Sequence, residues 1–317
     1  MFTVSKMSKG IAMSDNYILG SGLAGLLAGI LNPKFELLEY GDPPKDHQAV
    51  LRFRSSEIGD AVGIPFKEVR VYKGIWHNDK PVQLSPRYIN LYARKVSDTL
   101  AYRSICYLET QQRWIAPHDF QAMLREQCQD RISYNVEDME DIIKYNEEAI
   151  ISTVPIFVLA KWLNIPINCP TSDINKIYIS RFRIPRSDVY MTYHYTDPTV
   201  KPYRASITGD VLIIESTWPL KEDDYKVVFR SFGLTGLTMD LVVENHIQQL
   251  GKIIPMNDAE RRNFILNATL HHNIFSLGRF ATWRNIILDE VYKDIQKIKL
   301  LMRKDAYEAL RRHNCED

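Results

Sequence analysis

Cysteine is scarce in this chain, and what there is stands far apart. The four cysteines form no Cys-x-x-Cys pair; they are Cys106, Cys128, Cys169 and Cys315. Zinc sites and disulfide frameworks both need closer or regularly repeated cysteines. The spacing therefore predicts reduced, structural thiols, with no zinc site and no disulfide scaffold.

Long apolar runs and an excess of one charge are also missing. No uncharged apolar stretch reaches the roughly 18 residues of a membrane helix, and residues 1–14 lack the apolar segment of a secretory signal. The 40 basic and 39 acidic residues leave a net charge of +1, so the whole chain has no general attraction for nucleic acid or membranes. We expect a cytoplasmic protein without a membrane partner, in which residues 1–14 form a flexible extension.

A glycine-rich turn is the most informative feature that is present. It follows the apolar residues 17–19, opens an apolar helix, and precedes a second apolar strand that ends at Glu39. This order of strand, turn, helix, strand and acid is that of a dinucleotide-binding βαβ unit. The sequence therefore predicts a nucleotide site at this turn.

Each residue type in the motif has a physical reason to be there. Gly20 permits the tight turn, Gly22 lets a pyrophosphate approach the backbone, and Gly25 lets the helix pack closely on the sheet. A carboxylate at Glu39 accepts hydrogen bonds from a ribose and repels a 2′-phosphate, which argues against an NADP-type ligand. The predicted cofactor contacts here are Gly20, Ser21, Gly22, Leu23, Ala24, Gly25, Glu39 and Tyr40.

The middle of the chain predicts a different kind of unit. Residues 177–228 alternate β-branched and aromatic side chains with polar ones, and a tight turn falls at 208–210. A hairpin is indicated around Asn78 and Asp79, and a helix over residues 239–250. The fold class is therefore α/β, in which a Rossmann-like domain accompanies a smaller α+β domain built on a mostly antiparallel sheet.

Three segments together resemble one group of flavoproteins. The segment from Gly20 to Glu39, the run Ala149–Pro155, and residues 275–284 with 289–291 are similar to the FAD-binding fold of flavin amine oxidases, protoporphyrinogen oxidases and UDP-galactopyranose mutases. The resemblance implies FAD as the cofactor and an FAD domain assembled from separated stretches, at 15–70, 115–165 and 270–317. Residues 71–114 and 166–269 would then form a substrate domain over the flavin.

The same resemblance implies further contacts with the cofactor. In the family, the closing segment places a helix N-terminus near the pyrimidine end of the flavin ring and stabilises negative charge on it. The positions carried over to this chain are Thr153, Val154, Pro155, Gly278, Arg279, Thr282 and Trp283. A solvated arginine is the alternative for Arg279.

The reaction follows from the resemblance and from the departures from it. Trp283 and Asn285 stand where the mutases carry tyrosines, which favours oxidation or cleavage at an amino-bearing substrate group, with the flavin as hydride acceptor. The alternatives are a redox-neutral isomerase like the mutases, and a viral-type flavoenzyme that processes an amino-acid-substituted pyrimidine in DNA. A non-catalytic flavin-binding scaffold is a weaker option.

Candidate side chains for this chemistry lie in the middle region and near the second strand. The predicted catalytic residues are Arg204, His47 and Trp283, and the predicted substrate contacts are Tyr193, Tyr195, Tyr203 and Arg204. A guanidinium suits an anionic group, although Arg204 could equally form a strand salt bridge with Glu215. Alternation places Tyr193 and Tyr195 on one face of a strand, where core packing is the alternative, and His47 could be structural.

A local basic run and a pair of histidines bear on partners and metals. The expected substrate is a small molecule or a nucleotide-linked group. A local basic run consists of Arg181, Arg183 and Arg186. Its predicted role is contact with DNA, and the alternative is a solvated sheet edge. His271 and His272 are adjacent and do not share a face, so no metal site is predicted. The sequence indicates no oligomeric state.

Overall fold

A computed structural model describes residues 16–46, 50–97, 105, 108–170, 175–185, 188–234, 242–253 and 255–303. The chain divides into two compact units, each assembled from separated stretches. The first comprises residues 1–47, 119–169 and 256–317, and the second comprises residues 48–118 and 170–255.

A five-stranded parallel sheet forms the centre of the first unit. Its strands are β1 (Tyr17–Leu19), β2 (Glu36–Leu38), β7 (Ile132–Ser133), β8 (Ile150–Ser152) and β14 (Ile274–Ser276), in the order β14-β8-β1-β2-β7. Ile18, Leu37 and Ile151 are completely buried, as expected for a parallel sheet covered on both faces. Because the strands are parallel, all their carboxyl ends lie at one edge, where open α/β sheets bind ligands.

Six α-helices of the first unit lie within the described residues: α1 (Leu23–Leu31), α4 (Phe120–Cys128), α5 (Met139–Tyr145), α6 (Ile156–Trp162), α8 (Asp258–His272) and α9 (Leu288–Leu301). Helix α1 is apolar nearly throughout because it packs on the sheet and against both α4 and α9. A Cβ on Gly29 would lie only 2.8 Å from the Leu37 side chain, so this glycine sets the close approach of α1 to β2.

The second unit contains a larger, mostly antiparallel sheet in the order β13-β9-β12-β11-β10-β4-β6-β3, with β5 pairing β4. The strands are β3 (Arg52–Phe53), β4 (Lys67–His77), β5 (Lys80–Val82), β6 (Gln111–Ile115), β9 (Asn175–Arg183), β10 (Tyr190–Tyr195), β11 (Pro202–Thr208), β12 (Val211–Ser216) and β13 (Val242–Lys252). Among the strand pairs that the structure describes in this sheet, only β4–β10 is parallel.

The described helices of this unit are α2 (Glu57–Val62), α3 (Pro86–Ser97) and α7 (Glu222–Ser231). One face of the large sheet packs on α7, where Phe182, Tyr195 and Ile214 meet Phe229. The opposite face packs in part on α3, where Ile75 and Ile213 meet Tyr92. Alternation along each strand thus separates two apolar clusters.

Several predicted elements are confirmed. The hairpin around Asn78 and Asp79 joins β4 to β5, and both residues adopt positive φ angles, of 48° and 57°, as a tight hairpin turn requires. The turn at 208–210 joins β11 to β12 with Gly209 at a φ of 63°. The predicted α/β class with a second, mostly antiparallel sheet is therefore confirmed.

Two element predictions are wrong. Residues 239–250 were expected to form a helix, yet 242–252 form strand β13, because pairing with β9 extends the sheet. Helix α7 covers the end of the region 177–228, which we expected to belong to the antiparallel sheet; three acidic residues in its first turn favour the helix N-terminus there. A strand expected at 102–108 falls mostly outside the described residues.

None of the helices in the described ranges combines the length and the apolar character that a bilayer crossing needs.

Candidate functional site

The glycine turn has the geometry that its sequence predicts. Gly20 adopts a φ of +97°, which side chains other than glycine rarely tolerate, and its Cβ would lie 2.5 Å from Thr153 Oγ1. A Cβ on Gly25 would overlap the carbonyl oxygen of Gly20. Gly22, by contrast, has a φ of −71°, and a Cβ there would meet no atom within 4 Å. Two of these glycines are required by the fold, whereas the third borders open space.

Glu39 is held against this turn. Its Oε2 accepts hydrogen bonds from the Ser21 backbone N–H at 2.7 Å and from the Ser21 hydroxyl at 2.8 Å. Ser21 is completely buried, which fixes the carboxylate beside the first turn of α1. Both bonds use the same oxygen, and the structure shows no hydrogen bond of Oε1 to any described residue, so this oxygen can accept one from a ligand.

The three segments that carry the resemblance meet at the carboxyl edge of the parallel sheet. Thr153, after β8, donates through its hydroxyl to the Leu19 carbonyl at 2.8 Å. Gly278, after β14, adopts a φ of +92°, and a Cβ added to it would lie 3.1 Å from the Ala24 side chain in α1. The backbone N–H of Ile156 donates to the Phe280 carbonyl at 2.9 Å, which joins the middle segment to the late one.

Unpartnered hydroxyls mark the same edge. Ser152 and Ser276 are register partners at the ends of β8 and β14, and the side-chain oxygen of each is buried without a hydrogen-bond partner among the described residues. A buried hydroxyl without a partner is unfavourable by about 1–3 kcal/mol. The open space at Gly22, the helix N-terminus and the Glu39 carboxylate together fit a dinucleotide such as FAD.

The remaining cofactor candidates differ in exposure. Tyr40 is 60% exposed directly after Glu39, whereas Thr282 and Trp283 are buried. Trp283 packs edge to face against Phe157, with ring centroids 6.1 Å apart. An aromatic side chain buried in this way packs in the interior and does not present an open ring face. The predicted contact of Trp283 with the flavin stays a prediction.

Thr282 and Arg279 lie in the turn that follows Gly278. The Thr282 hydroxyl donates to the Gly278 carbonyl at 2.6 Å, and the Thr282 carbonyl accepts from Arg261 at 3.2 Å. The Arg279 guanidinium lies 5.5 Å from the Phe280 ring centroid. The turn is therefore fixed by a hydrogen bond within it and by one from α8.

Arg204 forms the salt bridge that the sequence left as its alternative role. It is the register partner of Glu215, and its Nη2 donates to Glu215 Oε1 at 2.7 Å while its Nε donates to Oε2. Glu215 is buried and also accepts from the Tyr203 hydroxyl at 3.1 Å. The paired carboxylate holds the pKa of Arg204 above its ordinary value, despite burial.

The structure does not bring the predicted substrate tyrosines together. Tyr193 and Tyr195 lie on the α7 face, as alternation predicts, and Tyr195 is completely buried there. Tyr203 is equally buried, but in the cluster on the other face. His194 shares that second face with Arg204, and burial, reinforced by Arg204, lowers its pKa to about 3. His194 is therefore neutral at physiological pH.

The basic run is engaged within the second unit. Arg181 and Arg183 lie on one face of β9, as expected. Arg181 contacts His118 Nε2 at 2.6 Å and Glu244 at 3.5 Å. Arg183 forms a salt bridge with Asp210 at 2.8 Å. Arg186 and His47 lie outside the described residues, so their predicted roles stay predictions. The described residues contain no group of three or more potential metal ligands.

Sequence reasoning missed a group of cations in the second unit: Arg52, Lys73 and Arg113. The available signal was the alternation of β4, where Val69, Val71 and Ile75 are buried and Lys73 occupies the position between them on that face. A charged residue in an otherwise apolar alternation departs from the local pattern of the strand.

No protein-family model and no curated protein sequence matches this chain. Among solved structures, the chain is similar to reduced UDP-galactopyranose mutase, with a TM-score of 0.63 and 13% identity over 90% of this chain and 95% of that chain. It is also similar to a mutant of PqsL from P. aeruginosa, with a TM-score of 0.53 and 10% identity over 95% and 91% of the two chains. These likenesses show the fold, which is that of Rossmann-like flavoproteins.

Proposed function

We propose that the chain binds FAD and uses it to oxidise or cleave a substrate at an amino-bearing group. The supporting observation is the turn at the carboxyl edge of the parallel sheet. There an open glycine, an oriented carboxylate and a helix N-terminus occur together. The fold likeness to flavoproteins agrees with this proposal, and the family resemblance of the same segments supplies the identity of the cofactor.

The residues that would hold FAD have separate tasks. The N–H groups that open α1, beside Gly22, would bind the pyrophosphate, because a helix N-terminus carries partial positive charge. Glu39 would accept hydrogen bonds from the adenosine ribose through its Oε1. The turn at Gly278 and Arg279 would lie along the flavin. Bound FAD supplies hydride acceptance, and the protein contributes placement and exclusion of water.

A second candidate function is a redox-neutral isomerisation on reduced FAD. It is favoured by the likeness to reduced UDP-galactopyranose mutase, which extends over 95% of that protein. Against it stands the position of Trp283. This residue replaces a mutase tyrosine in the resemblance, carries no hydroxyl and is 3% exposed.

Substitution of Gly22 tests the cofactor proposal. Gly22→Val adds a side chain where the structure has open space and where φ suits any residue, so the protein should fold normally. The same side chain would fill the space proposed for the pyrophosphate, so we expect purified variant protein without flavin. Normal flavin content in a folded Gly22→Val variant would contradict the placement.

Anaerobic titration separates the two reactions. An enzyme that transfers a hydride from its substrate to the flavin should bleach its own oxidised flavin when mixed with amino-bearing compounds in the absence of oxygen. A redox-neutral isomerase should show no such bleaching and should need dithionite before it turns over a nucleotide sugar. Turnover only after prior reduction would replace the first candidate with the second.

A further inference from the structure

Ser21 separates Gly20 from Gly22 in the glycine turn and is completely buried, although serine is mostly an exposed residue type. A buried hydroxyl is unfavourable unless it forms a hydrogen bond. The acceptor that the fold supplies is the carboxylate of Glu39, which lies 18 positions later, directly after β2. The side chain of Ser21 is therefore committed to a charged partner.

Two donors of Ser21 converge on one carboxylate oxygen. Glu39 Oε2 accepts from the Ser21 N–H at 2.7 Å and from its hydroxyl at 2.8 Å, whereas Oε1 has no hydrogen-bond partner among the described residues. A single donor would let the carboxylate rotate and exchange its two oxygens. The second donor on the same oxygen opposes that rotation, so the hydroxyl of Ser21 decides which oxygen stays available.

The side chain is the part of Glu39 that needs this restraint. Its backbone is fixed on both sides, because its N–H donates to the Ser133 carbonyl at 2.8 Å and its carbonyl accepts from the Val136 N–H at 3.0 Å. The side chain is only half-buried. A long side chain that becomes ordered only when a ligand arrives weakens binding by about 3- to 10-fold. Ordering in advance by Ser21 removes this loss.

We propose that Ser21 is a positioning residue that makes Glu39 selective for an adenosine ribose with a free 2′-hydroxyl, an inference that rests on the proposed function. A carboxylate held with one oxygen available accepts hydrogen bonds from ribose hydroxyls and repels a 2′-phosphate. Without the Ser21 hydroxyl, the carboxylate can turn toward solvent, where this repulsion is screened. The hydroxyl thus acts on the cofactor through Glu39 and does not need to touch it.

The first test follows FAD binding to the full chain by equilibrium dialysis, after any bound flavin has been removed. Ser21→Ala should weaken FAD binding about 3- to 10-fold, because Glu39 loses one of its two donors. Ser231→Ala is the matched control. It removes another buried serine hydroxyl, one that contacts the Tyr195 hydroxyl in the second unit, and it should leave the affinity for FAD unchanged.

Two competitors that differ only in a 2′-phosphate test the selectivity. Adenosine 5′-monophosphate should displace FAD from the parent protein at about 10-fold or more lower concentration than its 2′-phosphorylated form, because Glu39 repels the added charge. Ser21→Ala should reduce this ratio. Ser21→Cys, which nearly keeps the side-chain volume but donates only weakly, should reduce it as well. A merely structural loss would weaken both competitors equally and leave the ratio unchanged.

A double-mutant cycle tests whether Ser21 acts through Glu39. In a Glu39→Ala background, adding Ser21→Ala should change neither the affinity for FAD nor the ratio of the two competitors. Additive losses would overturn the inference. An unchanged ratio in both Ser21 variants, or an equal loss of FAD affinity in Ser231→Ala, would also overturn it.

The same dialysis separates this inference from the function on which it rests. A folded parent protein that takes up no FAD overturns the proposed function, and the inference with it. A parent protein that binds FAD, together with a Ser21→Ala variant that binds it equally tightly, overturns the inference alone.

Discussion

The two sheets carry their groups of polar residues in different ways. In the parallel sheet, the glycine turn and Glu39 lie within twenty residues of one another, directly after the adjacent strands β1 and β2. In the large sheet, Arg52, Lys73 and Arg113 are up to 61 positions apart and come from three strands. A local motif can be recognised by its spacing, whereas the second group exists only once the strands are paired.

The electrostatics of the two regions also differ. The glycine turn offers backbone N–H groups, a helix N-terminus and one oriented carboxylate, none of which depends on a side-chain cation. The face of the large sheet instead carries side-chain cations, among which Arg52 donates to the Thr192 hydroxyl and Lys73 donates to the Gln111 side chain. The first arrangement fits a nucleotide cofactor.

The largest effect that we expect tests the local site. Gly25→Ala would place a methyl group into the carbonyl oxygen of Gly20, and the backbone on both sides cannot move without disturbing the sheet. We expect a loss of about 3 kcal/mol or more in the free energy of unfolding, measured by urea denaturation. Gly22→Ala is the control and should change stability by less than about 0.5 kcal/mol. Equal stability of the two variants would refute the described turn.

A smaller effect tests the second sheet. Arg204→Met leaves the buried Glu215 carboxylate without its charged partner. Removing one partner of a fully buried pair is unfavourable by about 3–5 kcal/mol; because the Arg204 side chain is 37% exposed, we expect about 2 kcal/mol here. Adding Glu215→Gln should restore part of this loss in a double-mutant cycle. Strict additivity would show that the two residues do not interact.

The smallest effect, taken over one pH unit, is a pH dependence in the second unit. Lys95 of α3 donates to the Asp197 carbonyl at 2.9 Å, and burial lowers its pKa from 10.5 to about 7. Between these values the unfolded chain binds more protons, so the free energy of unfolding should rise with pH, by up to about 1.4 kcal/mol per pH unit. Below pH 7 the charged Lys95 side chain lowers the free energy of unfolding by an amount that no longer changes with pH.

Comparison of Lys95→Met with the parent protein measures this slope. Urea unfolding at several pH values above 7 should show the rise in the parent protein and its loss in the variant. Arg94→Met is the control, since Arg94 is the exposed neighbour of Lys95 on the same helix, and it should keep the slope. Parallel pH profiles for Lys95→Met and the parent would exclude a buried ammonium group.

Local signals account for what the sequence predicted correctly. The pairing of Arg204 with Glu215 could be anticipated because a tight turn at Gly209 joins their two strands and limits the register. The glycine turn was equally accessible, since every residue that it needs is close in the chain. The convergence of Thr153 and Gly278 with this turn followed only from the resemblance to a family.

Non-local pairing accounts for what was missed. Strand β13 carries apolar residues at a spacing that also suits a helix, and only its pairing with β9 decides between the two. The parallel pairing of β4 with β10 joins residues about 119 positions apart, from Tyr72 to Met191, and sequence spacing does not reveal it. Without that register, Lys73 and Thr192 cannot be recognised as neighbours.

The most direct test of the account is the identity of any small molecule carried by the purified full-length protein. We expect the absorbance of an oxidised flavin in the blue region and, after denaturation, release of FAD at one molecule per chain as measured by chromatography. Protein that is folded but colourless, and that takes up no FAD when the cofactor is supplied, would contradict the central claim.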